Sequence, residues 1–247
     1  MFIALTGLVA CGVDDDVVAE MERSLYASQG AIAAELIAAE VLLNTHTAPD
    51  DVLRHGDSCG CPCIERDAAT APYTVSLDYA DTGCLPLSGL IPSLLSGHAA
   101  VDWDGSLATV TFDGLEVGLD YPVSGTLSGS PASDGSAVQL EGDLVLGDWQ
   151  ATLDTRATLH DDAILLDGTV EVGGTHTGVV TFEAMSLRWR DIAPPCPAPV
   201  AGASVLTGAQ HAVRVDYADP GDGYVTVTRG NRHSDGVDFC AYRTALF

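Results

Sequence analysis

Cysteine is the residue type in this chain best placed to do chemistry. Cys59-Gly60-Cys61-Pro62-Cys63 puts three sulfurs within five residues, and Cys84, Cys196 and Cys240 follow. Thiolates suit soft metals such as Cu(I) or Zn. Structural zinc pairs, however, separate their cysteines by two to four residues, and this triplet has single-residue gaps. Six sulfurs make an even set, as disulfides in an oxidising compartment require, and six allow fifteen pairings. Each clustered cysteine can reach a distant partner, or Cys59 and Cys63 can close locally. The favoured bridges are Cys196–Cys240, which brackets the last β segment, and Cys84 with one of the triplet.

The remaining candidates are weaker. Asp216, Asp219 and Asp222 with Gly221 and Gly223 form an acidic, glycine-rich turn, and calcium wants several oxygens on a flexible loop. The EF-hand spacing is absent, so a hairpin turn with local aspartate hydrogen bonds is the expectation and calcium the lesser reading. The seven histidines, His46, His55, His98, His160, His176, His211 and His233, are scattered. His55-Gly56-Asp57-Ser58 holds the three types of a nucleophilic triad, but triads assemble from distant segments. His160-Asp161-Asp162 reads as a solvated turn. No nucleophile elbow, zinc-protease helix, Walker loop or dinucleotide turn occurs. Trp103, Trp149 and Trp189 lie in strand-like segments, where packing is their ordinary role. No catalytic residue, metal or cofactor is expected.

Charge narrows the partners. The chain has 247 residues with ten basic residues against 35 acids, a net charge of −25. Every basic residue is Arg, which removes Schiff-base and P-loop lysine chemistry. Such a field repels phosphate backbones, so nucleic acid and anionic membrane surfaces are poor partners, and no nucleic-acid partner is expected. A hydrophobic content of 47% argues against wholesale disorder. No unbroken apolar run reaches the ~18 residues of a membrane span.

The elements that must position these residues follow from periodicity. Over 16–44, Val18, Met21, Leu25, Ile32, Leu36, Ala39 and Leu43 recur at helical steps and make one apolar stripe. Glu20, Glu22, Arg23, Glu35 and Glu40 fall on the polar face, and Gly30 is an interior weak point. Residues 46–72 read as a loop-rich, Cys-bearing connector. From Tyr73 the period changes to two, as in Val75, Leu77 and Tyr79 or Leu115, Val117 and Leu119. Asp104-Gly105, Asp113-Gly114, Asp134-Gly135, Asp167-Gly168 and Gly173-Gly174 read as hairpin turns. Leu85–Ser96 reads as an apolar loop able to cover an open end of the sheet. The expectation is a mainly β chain: an N-terminal amphipathic helix, then a large antiparallel β-meander of ten to thirteen strands over 73–247. That many strands must curl, as a barrel-like sheet or a sandwich.

The N-terminus resembles the signal of bacterial lipoproteins. Met1 to Ala10 is a short apolar stretch, and Leu8-Val9-Ala10-Cys11 fills the lipobox places of an aliphatic, a variable, a small residue and Cys. The resemblance implies cleavage after residue 10, a diacylglycerol thioether on Cys11 and two or three acyl chains, enough for a stable anchor. It places 11–45 as an anchored N-terminus with its helix, in the bacterial cell envelope. Gly12 leans towards the outer membrane, because inner-membrane lipoproteins often carry Asp there. On this reading the chain is a disulfide-braced lipoprotein with a non-catalytic structural or interaction role. The alternative is a periplasmic carrier of an apolar ligand in a curved β-sheet cavity, and an enzyme with an unrecognised site ranks last.

Overall fold

The computed structural model describes residues 15–47, 62–81, 83–84, 94–118, 121–131, 137–160, 163–174, 177–188, 199–208, 211–217 and 223–242. One helix, α1 (Asp15–Thr47), is followed by β1 (Cys63–Arg66), β2 (Tyr73–Asp78), β3 (Leu95–Trp103), β4 (Ala108–Val117) and β5 (Tyr121–Pro131). Then come β6 (Ala137–Leu146), β7 (Trp149–Leu159), β8 (Ala163–Gly173), β9 (Gly178–Arg188) and β10 (Ala201–Thr207). The last strands are β11 (Val213–Tyr217), β12 (Tyr224–Arg229) and β13 (Arg232–Asp238), ending in a 3-10 turn at Phe239–Tyr242. All thirteen strands form one antiparallel sheet in strict sequence order, with β1 and β13 as its edges, so the sheet does not close into a barrel. The meander read from two-residue alternation is therefore present, and its first strand, β1, comes from the Cys-bearing segment.

Alternation is visible in burial. Along β4, Ala108, Val110, Phe112, Leu115 and Val117 are buried while their neighbours face outward. The single phase change in that strand is a bulge. Phe112 pairs with Gly125 and Leu115 with Val123, and Gly114 takes φ +72°. Asp113-Gly114 is thus an irregularity inside a long strand rather than a hairpin turn. Asp167-Gly168 is another, beside the register shift between β8 and β9, where the Ala184 amide donates to Asp167 Oδ1 at 2.8 Å. Bulges raise local twist and bend the strand, which a sheet needs in order to wrap a helix. Asp104-Gly105 does turn the chain: Asp104 Oδ1 accepts from the Ser106 and Leu107 amides at 2.7 and 2.8 Å. These bonds hold its carboxyl below the usual carboxylate range. Leu95 and Ser96 open β3 and are buried, so the apolar loop reading fails there; 85–93 lie outside the described residues.

The sheet's inner face is filled by α1, which touches β3 and every strand from β6 to β12. Every α1 residue from Ala27 to Leu42 is buried, so the helix is enclosed rather than laid on a surface. This corrects the two-faced helix of the sequence reading. Glu35 and Glu40, placed on a solvated face, have no exposed surface. Residues 31–42 read AIAAELIAAEVL, apolar all round but for those two carboxylates, and a helix apolar all round must be buried. Over Asp16–Leu42 the helix is long and apolar enough to cross a membrane, yet 89% of its most apolar window is buried inside the molecule. Helix and sheet share one core.

Gly30 has a packing role. A Cβ there would stand 2.7 Å from Cε3 and Cζ3 of Trp149, so the missing side chain is what lets the indole lie against the helix.

Candidate functional site

The polar groups that depart most from an ordinary core lie where α1 meets the sheet. Ser28 Oγ is 2.7 Å from Ser204 Oγ on β10, and Ser204 Oγ is 2.8 Å from the Tyr217 hydroxyl on β11. Burial drives the Tyr217 hydroxyl well above its ordinary pKa, against the lowering effect of the serine bonds. Its ring meets Phe239 edge-on, centroids 5.4 Å apart at 81°. Gln29, the next residue on α1, donates from Nε2 to the Phe239 carbonyl at 3.1 Å. Six residues further along α1, Glu35 Oε1 accepts from Thr155 Oγ1 of β7 at 2.5 Å. Glu35 Oε2 has no hydrogen-bond partner among the described residues. Loss of water raises this carboxyl from 4.5 to about 7, and the Thr155 bond only partly offsets that.

Chemically these groups form a lock. Ser28, Ser204 and Tyr217 make a chain of hydroxyls, and no base is bonded to it among the described residues. Hydroxyls and amides satisfied across the helix–sheet boundary fix the helix's rotation and register, because any slip strands a buried polar group.

At the N-terminal end of α1, Glu20 bonds to Arg229 Nε in a pair whose side chains are only 18% and 14% exposed. Arg229 Nη2 also lies 3.0 Å from His211 Nδ1. Arg23, one turn along, keeps Nε and Nη2 out of water with no partner among the described residues.

The residues singled out in the sequence are dispersed. Asp216 accepts from Arg214 Nε at 2.6 Å, and Arg214 also binds Glu183. These two carboxylates raise the Arg214 pKa, so a guanidinium occupies Asp216 where calcium was considered. Asp219 and Asp222 lie outside the described residues, as do Cys11, His55, Asp57, Ser58, Cys59, Cys61, His176, Trp189 and Cys196. Cys63 opens β1, Cys84 bridges to Leu95, and Cys240 sits in the 3-10 turn. Among the described residues no group of three His, Cys, Asp or Glu is placed to hold a metal. His98, His211 and His233 each have a local partner, Asp78 at 3.7 Å, Arg229 at 3.0 Å and Asp235 at 4.0 Å respectively, and do not converge. Trp103 and Trp149 pack against the core. An open groove of roughly 290 Å3 crosses the outer face of β6–β8 beside Gln139, Asp154, Arg156 and Asp167. Gln139 donates to Asp154 at 3.0 Å and Asp167 accepts from Ala184, so its carboxylates are engaged locally.

The sequence reading missed Glu35–Thr155, the Ser28–Ser204–Tyr217 chain and the Gly30–Trp149 contact. Only the first had a signal, two isolated carboxylates in an otherwise apolar helical run. No family model, curated protein or solved structure matches the chain.

Proposed function

We propose that the chain is a bacterial lipoprotein, acylated on Cys11, whose helix-filled β domain serves a non-catalytic structural or interaction role at the cell envelope. The observation that carries this reading is the enclosure of α1 by the sheet's inner face. The domain completes its own core from its own chain, as a rigid display module does. An apolar ligand on that face would have to displace α1 and its buried bonds, which weighs against the carrier reading.

Disulfide bracing belongs to the same proposal. The even set of six cysteines, with Cys63, Cys84 and Cys240 each engaged in the fold, supports an oxidising compartment. The proposed bridges are Cys196–Cys240 and Cys84 with one of the triplet. Mass spectrometry of the membrane fraction, wild type against Cys11→Ala, tests the anchor. Acylated wild type and soluble variant are the expected pair; an unmodified, soluble wild type overturns the reading. Non-reducing peptide mapping tests the bridges, and free thiols at Cys63, Cys84 and Cys240 would remove them.

A further inference from the structure

We infer that the β7–β8 wall under the outer groove is a pH-operated gate: ionisation of Glu35 lets water in from the groove between Thr155 and Gly168, and reprotonation shuts the strands again. The device lies wholly in the helix and sheet and does not depend on acylation of Cys11.

Glu35 has no exposed surface; Oε1 takes one bond from Thr155 and Oε2 takes none among the described residues. Burial raises its pKa to about 7, so below that pH it sits in the core as a neutral acid. Above it, a carboxylate with an oxygen short of donors must gain water or leave the core. No cation stands beside it. Among the described residues, two inward-facing side chains on the strands that α1 touches can ionise: Tyr217, bonded to Ser204, and Arg229, bonded to Glu20. Glu20 lies fifteen residues back along α1, about 22 Å at ~1.5 Å per residue. On α1 itself Arg23 is twelve residues back, and Glu40 is a second buried carboxylate. Asp154, Arg156 and Asp167 flank the site on the outer face. Water is one strand layer away. Thr155 pairs in register with Gly168, and both line the groove. A Cβ on Gly168 would stand 2.4 Å from the Asp154 carbonyl oxygen, so β7 and β8 meet here on bare backbone. The next ladder is broken at the same level: β9 carries an extra residue between Phe182 and Met185, and Ala184 takes φ +47°. A bulge disrupts the ladder locally, and such segments open at less cost than the whole fold. The wall is therefore weakest beside the carboxyl group that needs water.

The test is hydrogen–deuterium exchange of the full chain between pH 5 and pH 8, with rates corrected for the intrinsic pH dependence of amide exchange. Amides at 153–157 and 166–170 should speed up several-fold more than those at 108–112 of β4 as the pH passes about 7. Glu35→Gln should remove that excess. Thr155→Val takes away the bond that favours the ionised carboxyl, so it should move the onset to higher pH. An excess that survives Glu35→Gln overturns the gate, as does an onset that Thr155→Val leaves in place or lowers. A rise shared equally by β4 also overturns it, because Glu35 then acts only on the stability of the whole fold.

Discussion

At Glu35 a carboxyl group lies fully out of water, one oxygen on Thr155 and the other unpartnered among the described residues. Its pKa rises from 4.5 to about 7 in the folded chain, so between these values the native state holds a proton that the unfolded state releases. By linkage, stability falls as pH climbs through that window, and the penalty is complete above about pH 7. The loss is on the order of 3 kcal/mol. Glu35→Gln should remove most of this slope and raise stability at pH 8, measured by urea unfolding at pH 5 and pH 8. An unchanged slope would place the titration elsewhere. Gly30 makes a second case. Ala is better than Gly in a helix by about 1 kcal/mol, yet its Cβ would meet the Trp149 ring at 2.7 Å. Overpacking costs typically ~1–3 kcal/mol, so Gly30→Ala should lower the Tm. Adding Trp149→Phe should return part of the loss, and additive effects would disprove the contact. The sequence marks Gly30 as a weak point because propensity is local; the indole that needs the space comes from 119 residues further along.

The relation between α1 and the sheet is set by the hydroxyls of three elements. Ser204 bonds both Ser28 and Tyr217, and Ser28 also bonds Tyr217, so Ser204→Ala takes one partner from each of two buried hydroxyls and leaves them each other. The expected cost is about 0.5–1.5 kcal/mol per lost bond. Tyr217→Phe removes the group together with its need and should cost less. Equilibrium denaturation of the two variants and their double checks the ordering, and a larger loss for Tyr217→Phe would refute it. The existence of α1 and the strands was legible because periods of 3.6 and 2 survive in any window of the chain. Bulges were not. Asp113-Gly114 and Asp167-Gly168 carry the same residues as a hairpin turn, and only the partner strand's register decides which one forms. The helix's solvated face was misread for a related reason: an apolar stripe shows that one side is buried and is silent on the other.

Across the whole molecule, one 33-residue helix and a thirteen-stranded sheet complete a single core. An open sheet of that width without its helix would expose the apolar residues of most strands to water. Removal of 15–47 should therefore yield an aggregated or unfolded chain, read by size exclusion and near-ultraviolet circular dichroism. A monomeric, cooperatively melting β domain would show instead that the sheet closes on its own side chains. Class, strand periodicity, the long helix and the acidic balance were determined by the sequence alone, because each is a local or additive property of the residues. Tertiary structure decided that the helix goes inside, which carboxylates lose their water, and which distant hydroxyls and rings meet across that boundary. These depend on contacts between residues far apart in the chain, as the 176-residue separation of Ser28 and Ser204 shows, and no window of sequence carries such contacts.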